Sequence, residues 1–115
     1  MSDKNIVCDL SDKKCVPCEG GVAPKTEEEA ALLLKDLDGW ELQEGKKIER
    51  SFDFKDFYET IEFVNAVAWI CNREGHHPDL EVSYNKCKVV FWTHAIGGLS
   101  ENDFICAAKI DRLLK

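Results

Sequence analysis

All three histidines of this 115-residue chain fall in two short segments, Glu74-Gly75-His76-His77-Pro78 and Thr93-His94. Imidazole has an ordinary pKa near neutrality, so His76, His77 and His94 are candidates for proton transfer or metal ligation. Each one alone is explained well enough as a loop residue or helix cap. All of them at the junctions of neighbouring elements point to function. A metal site needs three or four ligands at fixed distances, with carboxylates orienting the rings from behind. Adjacent histidines rarely share one ion, and neither His-x-x-x-His nor His-x-Glu spacing occurs. The expectation is metal-free general acid–base catalysis, with different histidines giving and taking protons on one substrate.

Other residues carry weaker signals. Asp103 stands at the third helical position after Ser100, where a capping box would use its carboxylate, and that role suffices. A carboxylate there could equally orient a histidine ring or hold a polar substrate edge. Tyr84 reads as a core or edge-strand aromatic as readily as a ligand contact. Val90 and Trp92 share the strand parity of His94, opposite to Cys87, Val89, Phe91 and Thr93. Apolar groups on both faces of one strand mark a ligand pocket or a subunit interface, which makes Trp92 a candidate binding residue.

The chain has six cysteines. Cys71, Cys87 and Cys106 lie inside hydrophobic patterns and read as small buried residues. Cys15-Val16-Pro17-Cys18, with Cys8 upstream, has the spacing of a zinc chelate or a redox pair, but no second pair completes a zinc site. It reads better as an N-terminal arm packed on the body. A disulfide framework would need a secretory context, and the sequence shows no apolar signal segment.

With 44% hydrophobic and 32% charged residues, the composition is that of one globular domain. The net charge of −7 argues against nucleic acid or anionic lipid as a partner. No apolar run approaches the roughly 20 residues that span a bilayer. The expected location is cytoplasmic.

Several elements must position the histidines. Residues 1–25 form a cysteine-containing arm without sustained periodicity, closed by the loop signal Gly20-Gly21-Val22-Ala23-Pro24. The domain then runs over 26–115. Thr26 and Glu29 make a capping box, and Ala30, Leu33, Leu34 and Leu37 line one helix face that Gly39 is placed to end. Trp40 and Leu42, a turn at Glu44-Gly45-Lys46, then Ile48, Arg50, Phe52 and Phe54 read as a β-hairpin. Phe57, Ile61, Val64, Ala68 and Cys71 form the stripe of a long helix. Phe63, Val67 and Ile70 widen that stripe to more than half its girth, and Gly75 caps it. Leu80, Val82 and Tyr84 alternate, Asn85-Lys86 turns the chain, and Cys87 to His94 reads as a longer strand. A last helix starts at Ser100 with a Leu99–Phe104 staple. The fold class is α+β: helix–hairpin–helix–hairpin–helix, with one four-stranded antiparallel sheet and the helices packed on one face.

His76-His77-Pro78, with five residues to Tyr84, nine more to His94 and eight to Asp103, resembles the signature of the pterin-4a-carbinolamine dehydratases. Gly98-Leu99-Ser100 and the order of the long helix fit as well, over roughly residues 26–114. The cysteine-bearing leader looks like that of bacterial members. The resemblance implies dehydration of 4a-hydroxytetrahydrobiopterin to quinonoid dihydropterin, in tetrahydropterin recycling, without metal or organic cofactor. It implies that His76 and His94 transfer protons and that His77 orients the pterin, with Asp103 supporting binding or a ring. It implies functional coupling to an aromatic amino acid hydroxylase, and a homodimer built by sheet extension or a homotetramer of such dimers. Four residues before His76 the family usually has an ionisable side chain; this chain has Asn72, which hydrogen-bonds but supplies no charge. Glu74 lies on a different side of the helix. The alternatives are a non-catalytic coactivator module, as in animal members, or a dehydratase for another pterin such as a molybdopterin-related compound.

Overall fold

Capping boxes begin the first and last helices. The structure, a computed structural model, describes residues 10–16 and 23–114. Cys8, Pro17, Cys18 and the Gly20-Gly21-Val22 part of the loop signal lie outside the described residues. In α1 (Glu27–Leu34) the Thr26 hydroxyl accepts from the Glu29 N–H at 3.1 Å, and the Glu29 carboxylate accepts from the Thr26 N–H at 2.8 Å. The helix ends well short of Gly39, a correction to the sequence expectation. Tighter i→i+3 bonds from Lys35, Asp36 and Leu37 unwind it and turn Leu37 into the core. Gly39, at φ 85°, only redirects the chain into the sheet.

Strands β1 (Glu41–Gln43) and β2 (Lys47–Asp53) form the first hairpin, and β3 (Asp79–Val82) with β4 (Lys86–Phe91) the second. Antiparallel pairing of β2 with β4 joins them in the order β1-β2-β4-β3. Ile48, Phe52, Cys87, Val89 and Phe91 are buried, and the Phe52 ring meets Phe63 of α2 (Phe57–Glu74) at 4.7 Å between centroids. The α+β architecture with helices on one sheet face is the one read from the sequence.

The long helix buries only part of the expected surface, with Phe63, Val67 and Cys71 inside as read from the sequence. Its buried line is Thr60, Phe63, Val67 and Cys71, whereas Phe57 is half exposed and Ala68 and Trp69 are exposed. Thr60 takes a core position because its hydroxyl donates to the carbonyls of Asp56 and Tyr84, leaving no polar group unpaired. So three large apolar or aromatic side chains of the helix, Phe57, Tyr58 and Trp69, face outward in this chain. No helix among the described residues is long and apolar enough to cross a membrane.

The last strand also ends early. β4 stops at Phe91, and His94 opens a short 3-10 turn, His94–Ile96, that Gly97 ends at φ 67°. Backbone bonds between Thr93 and Gly98 close this loop, so the strand cannot run on through His94. α3 (Glu101–Arg112) follows, with Leu99 and Phe104 both fully buried at its start. Residues 10–16 lie along α3: Lys109 donates to the Ser11 carbonyl at 2.9 Å, and Arg112 to the Ser11 hydroxyl at 3.0 Å.

Candidate active site

The exit of α2 is fixed by its glycine. Gly75 is left-handed at φ 69°, and the N–H groups of Gly75 and His76 both return to the Cys71 carbonyl. This Schellman-type closure aims His76 away from the helix axis and towards the start of α3. There its Nε2 lies 2.6 Å from Asp103 Oδ1, with the ring nearly parallel to Phe91 (11° between planes, centroids 5.9 Å apart).

Asp103 fills both of its possible roles, one with each oxygen. Oδ2 accepts from the Ser100 N–H at 2.9 Å, completing the helix cap, and from the Thr93 hydroxyl at 2.8 Å. Oδ1 is left for His76, and the whole side chain is buried. An ionised carboxylate only accepts, so it sets the proton on Nε2 and leaves Nδ1 as the basic nitrogen of a neutral ring.

The other sequence candidates divide clearly. His76, His77, His94 and Trp92 line one cavity of about 630 Å³. The His94 and Trp92 rings approach to 3.8 Å between centroids, and the Trp92 indole N–H donates to Asp79 at 3.3 Å. Asn72 is exposed and adjoins His77, its Oδ1 lying 3.1 Å from His77 Nε2. Tyr84 is not brought to the site. It is 63% exposed in the β3–β4 turn, whereas the cavity takes in Asp79 at the opposite end of that hairpin. Even spacing along a sequence cannot tell the two ends of a hairpin apart.

One side of the cavity comes from a segment the histidine motif does not flag. Cys15 and Val16 line it together with Asn102 of α3. The Cys15 N–H donates to the Glu74 carboxylate at 2.8 Å, and Lys109 lies 3.5 Å from the same carboxylate. Burial alone would raise the Glu74 carboxyl, but the Cys15 amide and the Lys109 ammonium outweigh it and hold it below its usual value. The Cys15 and Cys106 sulfurs are 3.6 Å apart as free thiols. Hydrogen bonding with Cys15 and Cys71, together with burial, pushes the Cys106 thiol far up, so it packs as a neutral group. Nothing in the cysteine spacing of the leader identified Cys15 and Val16 as lining the cavity. Thr93, now the second anchor of Asp103, lay hidden in the alternation of a strand.

Three comparisons bear on this geometry. Residues 23–113 match the family model for pterin 4 alpha carbinolamine dehydratase. A Nitrosomonas eutropha protein provisionally named pterin-4-alpha-carbinolamine dehydratase is 62% identical over 109 residues, covering 94% of this chain and 96% of the relative. A crystal structure from Brucella melitensis, described as a transcriptional coactivator/pterin dehydratase, superposes with a TM-score of 0.76 at 34% identity. It covers 80% of this chain and 99% of that one. A pterin dehydratase-like protein described as a RuBisCO assembly factor of the alpha-carboxysome shares the fold alone, at 21% identity and a TM-score of 0.57, over 65% of this chain and 88% of that one.

Proposed function

Because the chain belongs to the pterin-4a-carbinolamine dehydratase family, we propose that it converts a 4a-hydroxytetrahydropterin to the quinonoid dihydropterin by histidine acid–base chemistry. In a carbinolamine the hydroxyl and N5 are attached to the same carbon, C4a. Elimination breaks the C4a–O bond, delivers a proton to the departing oxygen as water, and removes the N5 proton as the C4a=N5 bond forms. No electrons pass to or from a second reactant. Two imidazoles in opposite protonation states meet both demands near neutral pH.

The observation that carries this reading is the His76–Asp103 pair beside a cavity shared with His94. His76 and His94 are the proton-transfer groups. His77 binds and orients the pterin, with Asn72 acting through it. Trp92 offers a flat aromatic face beside His94 for the ring system. The physiological role that follows is recycling of tetrahydrobiopterin for an aromatic amino acid hydroxylase in the cytoplasm. The outward Phe57, Tyr58 and Trp69 of α2 and the outer edge of β3, which pairs with no further strand among the described residues, support a homodimer or homotetramer.

The test follows the absorbance decay of synthetic 4a-hydroxytetrahydropterin. The protein accelerates it beyond the spontaneous rate, before and after chelator treatment. A rate equal to the blank refutes the dehydratase, and loss after chelation refutes the metal-free route. Within the same assay Asn72→Glu raises kcat/KM by about two- to fivefold, because a carboxylate gives His77 a charge-assisted bond that the amide cannot. No change would show that the amide suffices at this position.

A further inference from the structure

The cavity has a wall that belongs neither to the sheet nor to the end of α2. It is the chain edge Cys15-Val16, and its attachment is specific. The Asn102 side chain holds both backbone groups of Val16: the Val16 N–H donates to Oδ1 at 3.1 Å, and Nδ2 donates to the Val16 carbonyl at 2.7 Å. One amide thus pairs with the backbone as a neighbouring strand would. Asn102 is itself buried, so these bonds keep its polar atoms satisfied. Glu74 takes the adjoining Cys15 N–H, and the Cys15 sulfur sits against Cys106.

Yet Val16 as a whole residue is 67% exposed. Core burial does not explain why this residue is pinned at both backbone groups. An apolar side chain on one wall, with the Trp92–His94 stack lining the same space, is the arrangement that binds a flat, partly apolar ring.

We infer that the Cys15-Val16 edge, seated by Asn102 and Glu74, is a binding wall of the pterin cavity that sets affinity for the ligand rather than the rate of proton transfer. This deepens the dehydratase reading and rests on it. The hydrogen bonds of Cys15 and Val16 go to Glu74 and Asn102 and, through sulfur, to Cys106 and the Asn102 carbonyl. Those made by the side chains of His76, His77 and Asp103 go to one another, Asn72, Thr93 and Ser100. The two sets meet at Cys106, whose sulfur lies 3.6 Å from that of Cys15 and 4.0 Å from the His76 backbone carbonyl, but the His76 ring is held by Asp103, so releasing the wall leaves the proton-transfer rings in place. Asn102 is a positioning residue in this scheme, acting through Val16.

The experiment loosens the wall from both sides in the full-length protein. Asn102→Ala removes the side-chain clamp; Val16→Pro removes the N–H it holds and lies on an exposed residue, so the body of the fold is untouched. Amide exchange at Cys15 reports release of the edge. In both variants Cys15 exchange rises, and Kd for 7,8-dihydropterin and KM for the carbinolamine rise by about three- to tenfold, the loss expected for one or two neutral hydrogen bonds. kcat stays within about twofold, as it does when binding shared by ground state and transition state is lost. The double variant is no worse than Asn102→Ala alone, since the bond that Val16→Pro removes is already lost there. Unchanged Kd and KM despite faster Cys15 exchange overturns the inference, and so do additive effects or a fall in kcat alone. A wild-type protein that binds 7,8-dihydropterin but does not turn over the carbinolamine refutes the dehydratase reading while the Kd series still tests the wall. One that binds no pterin refutes both.

Discussion

His76→Gln is expected to fold and to lose kcat by about two to four orders of magnitude, the range supplied by a positioned acid or base. Glutamine is the informative replacement because of what lies behind the ring. Asp103 is fully buried, and its Oδ1 has His76 as its partner at 2.6 Å. Alanine would leave that oxygen without a donor, and stripping a buried acceptor of its hydrogen bond costs about 1–3 kcal/mol, so activity and stability would fall together. A glutamine amide can still donate to Oδ1, yet it cannot exchange a proton at working pH. The measurement is carbinolamine decay under saturating substrate, beside a thermal melt of each variant. A His76→Gln protein with wild-type kcat would remove His76 from the chemistry and leave His94 to act alone.

Asp103→Asn separates the two roles that one carboxylate holds. The amide oxygen can take over Oδ2's acceptance from the Ser100 N–H and the Thr93 hydroxyl, which preserves the cap of α3. The amide nitrogen then faces His76 and donates where the carboxylate accepted, so the ring must present a bare Nε2 and carry its proton on Nδ1. The wrong tautomer alone costs about four orders of magnitude in a serine protease triad. Here, where His94 shares the proton traffic, we expect kcat to fall on the order of 100-fold. Loss of the charged partner lowers stability by about 1–3 kcal/mol. The two effects are read independently, by turnover and by melting temperature. A destabilised variant with full kcat would make Asp103 a helix cap and nothing more.

Much of the fold was legible because its signals are local. Thr26 with Glu29, and Ser100 with Asp103, are pairs three residues apart, and a side chain reaches that far whatever the rest of the chain does. The alternation in β2 and the left-handed glycine after α2 are equally short-range. Periodicity was less reliable where apolar residues covered too much of one element. On α2 it could not say whether Phe57 and Ala68, or Thr60 and Phe63, faced the sheet, because Thr60 reaches the core only through carbonyls of Asp56 and Tyr84. The Tyr84 carbonyl lies 24 residues away in the chain.

The sequence by itself raised the expectation of proton chemistry from histidines gathered at element junctions, and the spacing of His76, His77, His94 and Asp103 pointed to the family to which the chain belongs. Those are properties of residue type and short-range order. Only the tertiary structure decided that Asp103 serves helix and histidine with different oxygens, that Tyr84 stands at the wrong end of its hairpin, and that Val16 reaches Asn102 across 86 residues to wall the cavity. Each of these depends on which distant surfaces meet when the core closes. A contact between residues far apart in sequence leaves no periodic trace in either segment.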